Sequence, residues 1–285
     1  MTSIDIEYLR KWVGRERVRR DVLAPFPADA LAAAFNREYP PGLAGALPPT
    51  WQWLYFNEPV HQRDTGSDGH PRTGSFLPPV PLPRRMWASG EFSYEHSICL
   101  GEPAEQRSVV SDVELKQGST GALVFVTVEH RTEQRGELCL FEKQHLVYRE
   151  MPAGPSPLPT GETPRAEAEF RVPFEADPVL LFRYSALTYN GHRIHYDRNY
   201  AMQQEHYPGL VVHGPLLATL LAEQVARQFP QERMINFRFR AVRPVFDFDR
   251  LQLCGRRNGD AVELWTVNQD GFVTMTATAT LGVTP

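Results

Sequence analysis

GPLLATLLAEQVARQF, residues 214–229, is the stretch on which the fold turns. Leu217, Leu221, Val225 and Phe229 recur at four-residue spacing, with Ala218 and Ala222 beside them. That period puts them on one face of an α-helix. Pro215 falls in the first turn, where its missing N–H costs nothing. Glu223, Gln224, Arg227 and Gln228 fill the opposite arc. The apolar stripe is wide and edged by small side chains, so the helix should lie largely buried against a flat surface. Four strand-like runs follow at 234–243, 250–256, 261–268 and 272–281, with hairpin signals at Asn258-Gly259-Asp260 and Gln269-Asp270-Gly271. Upstream, 166–173 reads as a short strand and 177–188 as a helix.

Working toward the N-terminus, 151–164 is rich in Pro, Gly, Ser and Thr and reads as an extended linker. Before it, four runs at 87–100, 106–115, 122–132 and 137–148 alternate or run apolar, with turn signals at Gly101-Glu102-Pro103, Gly118 and Gly136. The segment 64–85 carries so many prolines and glycines that regular structure is forbidden over most of it. Phe76 and Trp87 nevertheless predict that it is ordered and packed, and a loop of this length in a compact protein is usually functional. Residues 39–49 form a Pro/Gly loop and 51–60 are aromatic. A helix is expected over 28–37, with Pro27 in its first turn. Residues 5–20 read in part as a short helix broken at Gly14.

Each half thus ends in four consecutive strands, and the second half has a buried helix for them to wrap. This pattern predicts an α+β double hotdog: two tandem antiparallel sheets wrapped on a helix and joined edge to edge. The first half has no apolar helix to match 214–229 and has the Pro-rich loop instead, so it is the degenerate half. The expected division is 1–150, a linker at 151–164, and a catalytic half at 165–285.

At 285 residues the chain can bury a sizeable core without staples. A net charge of −4 and the lack of a long basic run argue against nucleic acid as partner. The region after Met1 is charged, and no apolar run approaches the roughly 20 residues needed to cross a bilayer. Cys99, Cys139 and Cys254 are scattered without metal-ligand spacing, as reduced thiols in a cytoplasmic protein would be.

Function concentrates in 184–217, YSALTYNGHRIHYDRNYAMQQEHYPGLVVHGPLL. Imidazole exchanges a proton at low cost near neutral pH, which makes His195 the candidate base. The Asn190 amide can orient a water or a carbonyl. Gly214 opens the buried helix and offers a backbone N–H at the positive end of its dipole. That donor suits a carbonyl gathering charge as an enolate. Together they describe proton abstraction alpha to a carbonyl, or water addition across an enoyl double bond.

Two longer motifs carry a family resemblance: FRYSALTYNGHRIHYD at 182–197 and PPVPLPRRMWA at 78–88, with His213-Gly214 at the helix start. The chain resembles the MaoC-like, (R)-specific hydratase and dehydratase family over essentially its whole length. It looks closest to the subgroup holding mesaconyl-C4-CoA hydratase, itaconyl-CoA hydratase and the mitochondrial-type 3-hydroxyacyl-thioester dehydratases. The resemblance implies a double hotdog, a CoA-thioester substrate, and hydration of a short branched dicarboxylic enoyl-CoA to citramalyl-CoA. It implies neither an organic cofactor nor a metal. Alternatives are a dehydratase of fatty-acid synthesis and, from another class, a thioesterase or an acyl-CoA binder. Association of copies is compatible with such a fold.

The chain departs from the wider family at one point, where Asn190 stands in place of an Asp and His192-Arg193 in place of Asn-Pro. Asp197, Tyr184, Tyr189 and His192 are therefore candidates for a second acid/base or orienting group. Arg84, Arg85 and His213 are candidates for binding substrate or CoA, a guanidinium forking naturally onto a phosphate or carboxylate. Asp68, His70 and Arg72 are expected to form a turn network. His61, His96, His130, His145 and His206 are expected to be structural, and Arg238 and Arg240 to lie on a solvated strand face opposite Phe237 and Phe239. A metal set of His192, His195 and His213 lacks a paired carboxylate and is not expected.

Overall fold

A computed structural model describes residues 4–39, 45–118, 121–152, 154–155, 157–158 and 160–283. The reading of the region after Met1, and parts of the readings of loop 39–49 and linker 151–164, lie outside the described residues. In chain order the elements are α1 (Ile6–Arg10), β1 (Glu16–Val22), α2 (Pro25–Ala34), β2 (Arg84–Tyr94), β3 (Pro103–Gly118), β4 (Gly121–Gln134) and β5 (Glu137–Arg149). Then come β6 (Phe170–Glu175), α3 (Pro178–Leu187), α4 (Arg198–Gln203), α5 (Gly214–Gln228), β7 (Glu232–Ala241), β8 (Arg250–Asn258), β9 (Ala261–Val267) and β10 (Val273–Val283).

The strands form one ten-stranded sheet in the order β1-β3-β4-β5-β2-β7-β10-β9-β8-β6. Five strands come from each half, and every pairing is antiparallel. The halves join where β2 pairs β7, from Ser89 opposite Arg240 to Ser93 opposite Asn236. The fold is the double hotdog expected.

α5 is the spine of the second half. Leu216, Leu217, Leu220, Leu221 and Val225 are buried, each worth about 2 kcal/mol of removed apolar surface. Half of its polar arc is buried as well, Glu223 and Gln224, while Gln228 at its end is exposed. Glu223 is matched by Arg37 at 2.9 Å and Arg227 at 2.7 Å. The helix is enclosed because α2 and the aromatic 3-10 turn Trp51–Leu54 share its core cluster.

Among the described residues, the first half has no equivalent helix over its middle strands. Phe76, Val80 and Leu82 of the Pro-rich loop pack there, against Val110, Val113, Val124, Val126 and Tyr148. The loop is therefore ordered by burial of these side chains together with turn hydrogen bonds such as Gly66 N–H to His70 O at 2.7 Å and Gly74 N–H to Leu77 O at 2.8 Å.

Two strands were misjudged from sequence. β1 was missed because both its faces are polar (ERVRRDV), which hides the period of two. β6 begins four residues later than expected, and as an edge strand it tolerates Pro173. Cys139 and Cys254 are buried free thiols. No helix among the described residues is long and apolar enough to cross a membrane.

Candidate active site

The site begins where α3 ends. Asp177 caps that helix, its carboxylate accepting the Leu180 N–H at 2.8 Å. Tyr189 leaves it with a left-handed φ of 51°. The chain then passes through Asn190 and Gly191 into a short 3-10 turn, Arg193–His195. Asp197 caps α4 through the Tyr200 N–H and binds Arg193 at 2.7 Å. These local bonds fix where each imidazole lies.

His195 is buried and lines a cavity of about 1490 Å³. Its Nδ1 lies 2.6 Å from the Val211 carbonyl oxygen. A carbonyl only accepts, so Nδ1 carries the proton and Nε2 keeps the lone pair. Burial pulls the His195 pKa down to about 4, against a smaller upward pull from the bond to Val211. The ring is neutral at physiological pH and competent as a base.

His213 lies beneath it. The two rings stack at 3.6 Å between centroids and 19° between planes. His213 is fully buried, and its Nε2 is 2.8 Å from Ser185 Oγ. It does not line the cavity, so the expected contact with substrate is corrected: it packs against the His195 ring from behind. Face-to-face stacking also keeps the nitrogens of this pair from converging on an ion.

Gly214 follows as the first residue of α5 and lines the cavity. An added Cβ would find its nearest neighbour, the Trp87 carbonyl oxygen, at 3.7 Å. The protein itself has room for a side chain there, so the space Gly214 leaves is space for a ligand. Asn190 also lines the cavity, and its Oδ1 accepts the His192 N–H at 3.0 Å. The amide nitrogen is left as the donor available to a bound water or carbonyl.

His192 is buried, lines the cavity and sits edge-on to His195 at 5.4 Å. Burial, then the neighbouring His195 and arginines, lower its pKa to about 2. It is a neutral neighbour of the base, with Nε2 4.0 Å from Glu205 Oε1.

Other candidates leave the site. Asp197 is occupied as a helix cap and ion-pair partner, and those bonds hold its carboxyl below the usual range. Tyr189 is exposed and does not line the cavity. Tyr184 is buried edge-on to His213, and burial drives its phenol pKa up, so it holds its proton. None of the three lines the cavity.

The two arginines separate. Arg84 is buried with Nε 2.7 Å from Glu205 Oε2, and its guanidinium lies over the Tyr207 ring at 4.7 Å. Arg85, the next residue, also lines the cavity but has no ion pair with a carboxylate among the described residues.

Sequence reasoning missed Glu205 and undervalued His70. Glu205 is a buried carboxylate in the cavity wall, raised by burial and pulled back by Arg84. No motif marks it; only its ion pair does. The turn network at Asp68 exists, with Oδ1 accepting the His70 N–H at 3.0 Å. But His70 also stacks on His192 at 4.4 Å and lines the cavity. The loop reaches the site because Gly69 and Gly191 touch backbone to backbone, Arg193 N–H donates to Asp68 O at 2.8 Å, and Arg193 Nη1 to Ser67 O at 3.0 Å. His130, expected to be structural, is buried, lies 2.7 Å from Ser108 Oγ and lines the same cavity, as does His206. Asp68, His70 and His192 bring ligand atoms within 4.8 Å of one another. One Asp68 oxygen is already engaged, and the Arg85 charge falls on both imidazoles, which suits an anion better than a divalent cation.

Arg17, Arg19, Arg72, Arg84, Arg85, Arg149 and Arg243 line the cavity, against one carboxylate, Glu205. In a chain of net charge −4 this concentrates positive potential where a substrate enters.

A family model described as hydroxyacyl-thioester dehydratase type 2 matches residues 50–247. The chain is 44% identical over 276 residues to Mesaconyl-C(4)-CoA hydratase of Chloroflexus aurantiacus, covering 95% of this chain and 97% of that protein. It is 28% identical over 281 residues to the mitochondrial hydroxyacyl-thioester dehydratase type 2 of Schizosaccharomyces pombe, covering 87% and 91%. Among solved structures, a MaoC-like dehydratase from Phytophthora capsici superposes with a TM-score of 0.72 at 12% identity, covering 98% of each chain.

Proposed function

From membership of the hydroxyacyl-thioester dehydratase type 2 family, to which this chain belongs, we infer a hydro-lyase that adds water to an acyl-CoA thioester. The observation that carries this is the state of His195. Its Nδ1 proton is tied to Val211 O, and its Nε2 lone pair remains on a ring lining the cavity beside the free N–H end of α5.

In this reading the thioester oxygen accepts from the Gly214 N–H, which draws charge out of the conjugated double bond. Asn190 orients a water. His195 Nε2 takes a proton from that water as its oxygen bonds the β-carbon, and the imidazolium returns the proton to the α-carbon. One oxygen–carbon and one carbon–hydrogen bond form, and the enzyme ends as it began.

The finer proposal is a branched C5 dicarboxylic substrate hydrated to citramalyl-CoA in itaconate-type catabolism in the cytoplasm: mesaconyl-C4-CoA by the step above, or itaconyl-CoA, whose β,γ double bond takes the proton at its terminal carbon instead of the α-carbon. Support comes from the 44% relative and from a wall of seven arginines. A second reading, dehydration of a 3-hydroxyacyl thioester in fatty-acid synthesis, is favoured by the family's own description and the fission-yeast relative. A cavity of about 1490 Å³ has room for either.

The test is a panel of mesaconyl-C4-CoA, itaconyl-CoA, crotonyl-CoA and a long-chain enoyl-CoA, following loss of conjugation and release of free CoA separately. Hydration led by the dicarboxylic thioesters is expected. Preference for the long chain selects the second reading, and CoA release without hydration makes the protein a thioesterase.

A further inference from the structure

We infer that Arg85 is the receptor for the substrate's second carboxylate and sets the preference for dicarboxylic over neutral enoyl thioesters. This rests on the hydratase reading and names the residue behind its substrate class.

Seven arginines line the cavity, and three of them are already matched by carboxylates. Arg84 is held by Glu205 at 2.7 Å and capped by Tyr207. Arg17 and Arg19 share Glu58, at 3.2 and 2.8 Å. Arg149 is the cross-strand partner of Arg84, and its charge acts on Glu205 and Tyr207. These four are structural or belong to the Glu205 side of the cavity.

Arg85 differs in placement. It pairs across the strands with Tyr148, so its side chain leaves β2 on the face opposite to that of Arg84. Its charge acts on the Tyr148 phenol. Its positive field falls on His70 and His192, the rings stacked at 4.4 Å, and His192 stands edge-on to the base. The cation is half-buried and has no carboxylate partner among the described residues. Burying a charge is unfavourable unless something pairs with it, and here the ligand is what remains.

Substrate chemistry supplies the complement. In a 2-enoyl thioester whose second carboxylate sits on the β-carbon, that anion is bonded to the atom the water attacks. It must therefore lie next to the group that handles the water, which is His195. Left unpaired there, it would repel the incoming oxygen and raise the affinity of His195 for a proton. A guanidinium fork on its two oxygens cancels both effects and fixes which face of the alkene meets the base. A neutral enoyl thioester leaves Arg85 desolvated and unpaired, so the same residue that attracts one class rejects the other.

The experiment compares mesaconyl-C4-CoA with 3-methylcrotonyl-CoA, in which a methyl group replaces that carboxylate, on wild type, Arg85→Gln and Arg85→Lys. The wild type is expected to favour the dicarboxylic thioester by about 100-fold or more in kcat/KM. Arg85→Gln should lose most of that ratio, while its turnover of 3-methylcrotonyl-CoA holds or rises. Arg85→Lys should fall between, since it keeps the charge and loses the fork. Equal losses on both substrates, or an unchanged ratio, overturn the assignment. Calorimetric affinities of the same two thioesters keep the question separate from catalysis. If the wild type hydrates neither, the hydratase reading fails, and Arg85 still stands or falls on whether Arg85→Gln removes a selective affinity for the carboxylate-bearing ligand. Equal wild-type affinity for the two overturns it.

Discussion

Replacing Gly69 by Ala should detach the Pro-rich loop from the catalytic segment. Gly69 has φ of +89°, and an added Cβ would lie 2.0 Å from the Gly191 carbonyl oxygen. Real Cβ atoms essentially never come within 3.0 Å, so the two backbones must separate by at least 1.0 Å, the difference of those distances. Two hydrogen bonds cross the seam, Arg193 N–H to Asp68 O at 2.8 Å and Arg193 Nη1 to Ser67 O at 3.0 Å. Their loss costs about 1 kcal/mol each. A left-handed backbone at a residue with a Cβ adds about 1–2 kcal/mol. Docking should thus weaken by about 3–4 kcal/mol, on the order of 100-fold or more in the docked population.

Hydrogen exchange reads this directly. The Arg193 amide should lose about 100-fold of protection, and kcat/KM should fall with it because the His70–His192 stack opens. Gly101→Ala is the control: φ is +82°, but nothing lies within 4 Å of its added Cβ. It introduces backbone strain without a clash, and should leave Arg193 protection and turnover intact. If Gly69→Ala keeps both as in wild type, the loop is not what holds the catalytic segment, and this reasoning is refuted.

Other outcomes follow from the same geometry. His195→Ala should lower kcat by roughly 100-fold or more, whereas retained turnover would move the base elsewhere. Gly214→Ala should fold with unchanged melting temperature, since the nearest atom to the new Cβ is 3.7 Å away, yet lose about 100-fold in kcat/KM; a large loss of stability would make Gly214 a packing residue instead. Glu205→Gln leaves Arg84 buried without its counter-charge and should destabilise the fold by about 3–5 kcal/mol in denaturant titration, a cost that an unchanged midpoint would contradict. The kcat/KM profile should stay flat as pH falls from neutrality to about 5, with an acid limb near the His195 pKa of about 4; a limb near 6.5 would mean that the ring is solvated. Stability carries the matching sign. His195 and His192 bind a proton more weakly folded, at about 4 and about 2, than unfolded at about 6.5, so their contribution is complete above 6.5 and is lost as pH falls below it, at about 1.4 kcal/mol per unit and residue.

The double hotdog was legible because α5 and the strands after it repeat at their own periods, and because the Pro-rich segment ahead of β2 could be little but loop. What periodicity cannot see is polarity without alternation. β1 has charged side chains on both faces, and its place at the sheet edge is visible only once β3 is there to pair with it. That the segment around His195 lines the cavity was readable from residue types and from family motifs. Which of its neighbours took part was not. Asp197 and Tyr184 look like proton-handling groups in sequence, yet one is occupied as a helix cap and the other is sealed by burial. His213 and Gly214 are adjacent, but only Gly214 reaches the cavity. Glu205 and His70 are far from His195 in the chain or outside any motif, and tertiary packing alone brings them in.

The β2–β7 seam has a consequence for how such a site can change. In a sheet assembled from two identical chains, symmetry forces every residue that shapes one pocket to appear in the other as well. A base cannot be placed on one side and a substrate anchor on the other without both appearing on each. Here one chain supplies both sides of the seam, and that constraint is gone. His195 arises from the second half and Arg85 from the first, each with one occurrence and one duty. Replacement of the anchor would alter substrate choice in a single pocket without replacing His195. The asymmetry of the two halves is thus what allows selectivity to vary independently of the chemistry.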